Sequence, residues 1–321
     1  LVILTGLFGT PAGSRNFAII FVWIVWWALL ILLLVPFFGR AWCAICPIPV
    51  PGEWIQRRNI LTKKYPRLRT LNWRWSNRLK NMWLQNFGFL GVALFSTIIL
   101  TRPNITAWLL LGFIVAGVAM SVLYKGRIFC RYVCPVGGFI GLYSMISPLE
   151  LRVRDPNVCL DHKTKDCVTG NANGYGCPWM VYPGKLERNT YCGMCTECLR
   201  ACPRNNITFN LREFGSDLLV AGERKLDEAY KAFIMLTCAF SYSVVLLGPW
   251  GWLKNWANME TVPHWLLYAV VFLAMNLLIV PGIFLSVSWF ASRLYSKSIS
   301  VKQVFVDYAY TLVPMGLAAW M

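Results

Sequence analysis

Residues 17–47 read FAIIFVWIVWWALLILLLVPFFGRAWCAICP. The first 22 of them carry no charge, and Gly39-Arg40 then leads directly into Cys43-Ala44-Ile45-Cys46-Pro47. An apolar run of about 20 residues is what a helix needs to cross the hydrocarbon of a bilayer. Two thiols at its end can hold a soft metal centre at the membrane face. The stretch therefore sets two questions: how often the span recurs, and what the thiols bind.

The 321 residues are 57% hydrophobic and 14% charged, with mean hydropathy +0.51. Soluble domains carry about 25% charged and 45–50% apolar residues. A single soluble globule and a disordered chain are both excluded. Besides 17–38, the stretches 83–101, 104–123, 229–250, 264–290 and 305–321 are long and apolar enough to span. Residues 1–8 read as the end of an earlier helix. The chain opens on Leu1 and stops at Met321, each within apolar sequence, so both ends read as cut. The expected fold class is an α-helical integral membrane protein of at least six spans with a small inserted domain. Its divisions are a membrane domain at 1–150, a cytoplasmic α+β domain at 151–228 and C-terminal membrane helices at 229–321.

The formal net charge is +17, from 31 basic and 14 acidic residues. Loop 39–82 holds ten of the basic residues, 124–231 fifteen and 291–304 three. Six alternating spans put these three regions on one face, and the positive-inside rule makes that face cytoplasmic. The expected location is the inner membrane of a prokaryote, with lipid as the first partner. Trp250, Trp252, Trp256, His264 and Trp265 read as the outer interfacial belt. Nucleic acid is not an expected partner, because the charge is explained by topology and no recognition module is visible. The Trp-bearing segment 51–82 reads as an amphipathic helix lying on anionic lipid.

Eleven of the 12 Cys fall in the two large cytoplasmic loops. Thiols there are kept reduced, which favours metal ligation over disulfides. Cys238, alone inside a span, reads as a small buried hydrophobe. The run Cys192-Gly-Met-Cys195-Thr-Glu-Cys198-Leu-Arg-Ala-Cys202-Pro203 has the C-x2-C-x2-C-x3-C-P spacing of bacterial ferredoxins, whose fourth Cys ligates the other of two [4Fe–4S] clusters. Its partner is a stretched motif, Cys159, His162, Cys167 and Cys177-Pro178. Cys177 would complete the cluster of Cys192, Cys195 and Cys198. Cys202 would join Cys159 and Cys167. The place of a fourth ligand on this second cluster is held by His162. Either its imidazole ligates iron, or Asp161 or Asp166 does, or the cluster is [3Fe–4S].

The opening motif recurs. Gly126-Arg127-Ile128-Phe129-Cys130 is followed by Cys134-Pro135, as Gly39-Arg40-Ala41-Trp42-Cys43 is followed by Cys46-Pro47. The two spans run in the same direction, so Cys43, Cys46, Cys130 and Cys134 can meet at the membrane face. They would hold a third [4Fe–4S] cluster, a zinc or copper ion, or act as two redox dithiols. Arg40 and Arg127 either snorkel to the interface or balance an anionic thiolate centre. No haem is expected, since His162 and His264 are the two histidines and no C-x2-C-H occurs. Asp307, Tyr308 and Tyr310 near the last span read first as a helix-start acid and interfacial tyrosines, and second as groups a quinone could meet; no residue marks a quinone pocket.

Together these motifs resemble the membrane-bound polyferredoxins of the NapH/NosR/CcoG type, associated with periplasmic nitrate reductase, nitrous-oxide reductase and cbb3 oxidase. The resemblance covers about 40–230, through Cys43, Cys46, Cys130 and Cys134 and through Cys192, Cys195, Cys198 and Cys202. It implies electron transfer at the cytoplasmic membrane, as a quinol-dehydrogenase-type subunit passing electrons between quinone and a respiratory partner. The alternatives are an accessory protein that reduces copper or cofactors for a terminal enzyme, and a relay subunit of a larger complex. The stretched first ferredoxin motif and the shorter Cys43-x2-Cys46 depart from the family pattern.

Overall fold

The computed structural model describes residues 1–57, 70–95, 97–220, 224–295 and 300–321. Four helices among them are long and apolar enough to cross a membrane: Phe17–Phe38, Pro103–Leu123, Leu226–Leu247 and Val262–Leu294. They mark the chain as a membrane protein. At a rise of 1.5 Å per residue the first three measure about 32–33 Å, close to the hydrocarbon thickness, and the fourth about 50 Å. The other two expected spans are each broken. Stretch 83–101 forms Trp83–Ala93 and Thr97–Leu100, and 305–321 forms Val301–Ala309 and Leu312–Trp320. Each piece alone is too short to cross.

Contacts divide the chain into two compact units, one of residues 1–28, 82–108 and 221–321, the other of 29–81 and 109–220. In the first, Leu226–Leu247 is the most enclosed helix, with 56% of its apolar stretch buried against 17% for Val262–Leu294. Its first turns bury Asp227, Glu228 and Lys231, residues the sequence reading left at the loop edge. They are tolerated because they are paired. Met82 N–H donates to the Asp227 carboxylate at 2.6 Å, Tyr310 OH donates to Glu228, and the Lys231 ammonium lies 4.6 Å from the Phe89 ring centre. Cys238 is fully buried, its Sγ 3.3 Å from Asn276 Oδ1.

The second unit joins the two repeat segments to the cysteine-rich insert. Strand β1 (Leu149–Val153) pairs antiparallel with β2 (Ile207–Leu211), Leu151 opposite Phe209. Leu151 and Ile207 pack on Cys167 and Cys198. The two strands thus bracket the residues that carry seven of the Cys. Of the 151–228 segment expected from the sequence to form the inserted domain, residues 151–220 lie in the second unit.

Segment 51–82 departs from the expected interfacial helix. Its helix is Val50–Arg57, and 70–76 is not helical; 58–69, with much of the positive charge, lies outside the described residues. Gln56 Nε2 donates to Ser121 O at 2.7 Å and Tyr124 O at 3.0 Å, satisfying carbonyls freed at a helix end. Trp75 stacks on Tyr132 at 5.7 Å. Gln56 and Trp75 thus pack on protein, while Trp54 and Trp73 are exposed.

Candidate metal centres

Gly39, at the end of Phe17–Phe38, and Gly126, three residues beyond the end of Pro103–Leu123, have positive φ, +58° and +77°. A left-handed residue terminates a helix, and glycine adopts it without a Cβ penalty. The chain turns there, and the following arginine points inward. Arg40 is 1% and Arg127 7% exposed. Neither snorkels.

The unequal Cys spacing has a local cause. Cys43 lies in a short α-helix, Ala41–Ile45, whereas Cys130 lies in a π-helical turn, Phe129–Val133. The wider turn, closed by Cys134 N–H to Phe129 O at 2.8 Å, takes up the one extra residue. Cys46 and Cys134 then leave with nearly the same backbone, φ/ψ −57°/129° and −59°/117°. Pro47 and Pro135 enforce this extended form on the residue before them.

The two repeats clasp each other. Arg40 Nη2 donates to Cys130 O at 3.5 Å, and Arg127 Nη1 donates to Cys43 O. Arg127 also grips Glu53, through Nε to Oε1 and Nη2 to Oε2 at 3.1 Å. The exchange brings the four repeat thiols together: Cys43, Cys46 and Cys134 all act electrostatically on Cys130. Burial pushes the Cys46 thiol up to about 12 and that of Cys134 up to about 11. Such thiols become thiolates only beside a strong positive charge, which iron supplies.

The insert forms two further groups. Cys177, Cys192, Cys195 and Cys198 line one small pocket. Cys159, His162, Cys167 and Cys202 line another. His162 stands in the cavity wall, with Nε2 2.9 Å from Thr164 Oγ1 and 3.6 Å from Asp166 Oδ2. Among the described residues no three His, Cys, Asp or Glu side chains converge on a single ion-sized point.

Two segments, 19–67 and 106–154, match the model of a 4Fe–4S binding domain. The matched segments are the two repeats, and the offset of 87 residues between them carries Gly39, Arg40 and Cys43 onto Gly126, Arg127 and Cys130. Over 97 residues the chain is 31% identical to YccM of Escherichia coli (strain K12), a protein named for electron transport, covering 29% of this chain and 25% of that one. It is 22% identical over 173 residues to the uncharacterized protein MJ0749 of Methanocaldococcus jannaschii, covering 54% of this chain and 65% of that one. The chain thus spans a quarter of the first relative and just under two thirds of the second. No solved structure matches.

The surroundings of the sulfurs fit 4Fe–4S chemistry. Met194 and Thr196 take left-handed φ of 49° and 61°, so successive backbone amides turn toward the Cys run. The N–H groups of Met194 and Glu197 reach the Cys192 and Cys195 sulfurs and hold down thiols that burial raises. Gly137 N–H donates to Cys134 Sγ at 3.3 Å. Hydrogen bonds of this kind stabilise the charge on cluster ligands.

Sequence reading did not single out Asn206. Its backbone N–H donates to Cys202 Sγ at 3.4 Å and its Nδ2 to Cys159 Sγ at 3.2 Å. It therefore ties together two Cys 43 residues apart in sequence. The signal available was an Asn four residues after the last Cys of the run, and nothing in the spacing gave it a partner. Of the polar residues near the last span, Asp307 pairs with Arg224 at 3.4 Å, Tyr310 serves Glu228, and Tyr308 is exposed.

Proposed function

We propose that this chain is an integral-membrane electron-transfer subunit that relays electrons between a quinone pool and a respiratory partner through three 4Fe–4S centres on the cytoplasmic side. Cys43, Cys46, Cys130 and Cys134 hold the first. Cys177, Cys192, Cys195 and Cys198 hold the second. Cys159, Cys167 and Cys202 hold the third, with His162 as its remaining ligand through Nδ1, since Nε2 is engaged by Thr164. The clusters supply one-electron chemistry; the chain supplies thiolates, amide donors, burial and cations that set potential.

One observation carries the reading. Arg127 acts electrostatically on Cys130 and Cys195 together, while Arg40 acts on Cys134 and on Cys192. The same two buried cations serve both the repeat thiols and the insert thiols, so the two centres are neighbours in a relay. The match of both repeats to a 4Fe–4S binding domain supports iron over zinc or copper at the first centre. The likeness to an electron-transport relative supports the relay. The polyferredoxin resemblance supports quinone as donor or acceptor.

Anaerobically purified protein should contain iron and sulfide for three clusters and give [4Fe–4S]⁺ EPR signals on reduction by a quinol analogue. Cys130→Ser should remove one signal and leave the other two. Protein that carries copper at Cys43, Cys46, Cys130 and Cys134 and no third cluster would replace this reading with the accessory one.

A further inference from the structure

Trp179 is 1% exposed and lines the cavity of Cys177, Cys192, Cys195 and Cys198. Its indole N–H is buried and has no hydrogen-bond partner among the described residues. A buried donor left unpaired is costly, and here it stands in the wall of a thiol-lined pocket. The site is built around it. A Cβ at residue 193 would lie 2.0 Å from Trp179 Nε1, so only glycine between Cys192 and Met194 lets the indole approach the Cys run. The other face of the ring meets Arg40, whose guanidinium carbon is 4.3 Å from the ring centre. Arg40 in turn donates to Cys130 O at 3.5 Å and faces Cys134. Cavity, indole, guanidinium and repeat thiols form one contiguous line inside the second unit.

We infer that the Trp179 indole N–H donates a hydrogen bond to a sulfur of the centre held by Cys177, Cys192, Cys195 and Cys198, and that the stacked Arg40–Trp179 pair is the bridge between this centre and that of Cys43, Cys46, Cys130 and Cys134. The inference rests on the cluster assignment above. A donor and a cation beside the centre favour its more reduced state, so the pair raises its potential. In the transfer one centre loses an electron and the other gains it; no bond forms or breaks, and the proton stays on Nε1.

The test is an EPR-monitored redox titration of the full chain and of Trp179→Phe, which keeps the ring and deletes the donor. The variant should retain its iron and its signal amplitude, and the potential of this one centre should fall by a tenfold change in the reduction equilibrium, about 59 mV for one electron. Wild-type protein labelled with ¹⁵N in the tryptophan indole should show a nitrogen hyperfine coupling on this centre that Trp179→Phe lacks. An intact cluster with unchanged potential and no indole coupling overturns the inference and leaves the cluster assignment standing. A wild-type chain without a cluster at these four Cys overturns the assignment itself. Should Trp179→Phe fail to fold, the ¹⁵N measurement on the wild type decides alone.

Discussion

Arg127 is the residue on which most of the second unit's local order depends. Its side chain is 6% exposed and that of Glu53 12%, and the two meet in a bidentate pair while the third nitrogen serves Cys43 O. Removing one partner of a buried pair costs about 3–5 kcal/mol, because the other charge stays buried alone. Arg127→Met is therefore expected to destabilise the detergent-solubilised protein by about that amount. Adding Glu53→Gln should recover part of the loss, since the stranded charge is gone. An Arg127→Met protein that unfolds at the wild-type temperature would contradict the pairing. The preceding residue makes a separate prediction. A Cβ on Gly126 would lie 2.5 Å from Pro178 O, whereas one on Gly215, with a similar φ of +75°, would meet nothing nearer than 3.7 Å. Gly215→Ala should bear only the backbone term, about 1–2 kcal/mol. Gly126→Ala should cost clearly more in the same thermal-unfolding assay, and equal costs would show that the Gly126–Pro178 approach is loose.

At the scale of elements, the π turn at Phe129–Val133 explains how two Cys pairs of different spacing take one geometry. Such turns are single-residue insertions absorbed within a helix. Deleting Val133 should convert the turn to the α form seen at Ala41–Ile45 and leave the iron content of the first centre unchanged; loss of that centre's EPR signal would show that the wider turn itself is needed. The spacing C-x2-C against C-x3-C was legible in the sequence, and so were the repeat and the four long helices, because each is a pattern of local chemistry. The reciprocal arginine contacts were not legible. Gly-Arg before each Cys pair marks a shared motif, but an arginine at a helix end snorkels by default, and only the left-handed glycines turn it inward. Asn206, Trp179 and the buried Asp227–Glu228–Lys231 turn escaped for a related reason. Their partners lie far away in sequence, and pairing across such distances leaves no local period.

For the whole molecule, the contacts between repeats bear on the path through the membrane. Arg127 reaches Cys43 O and Arg40 reaches Cys130 O, so helices Phe17–Phe38 and Pro103–Leu123 deliver their C-terminal ends to the same face. Two helices can do so only if the chain crosses back once between them. The apolar stretch available for that return is 83–101, which folds as Trp83–Ala93 and Thr97–Leu100 rather than as one helix. Its buried Gln85 and Asn86 are costly in hydrocarbon, and partners answer part of that cost: Asn86 Nδ2 donates to Asp227 O at 2.9 Å. On this argument a helix too short to span by itself crosses as a pair, and we predict that Lys80 and Arg102 lie on opposite sides of the membrane, the positive-inside rule favouring Lys80 for the inner side. Reporter fusions test it directly. A fluorescent protein fused after Lys80 should fold and fluoresce, while one exported after Arg102 should not, and an alkaline phosphatase fusion should show the reverse pattern. Fluorescence after both positions would mean that 83–101 does not cross, and the repeat thiols could then meet only if Pro103–Leu123 did not cross either.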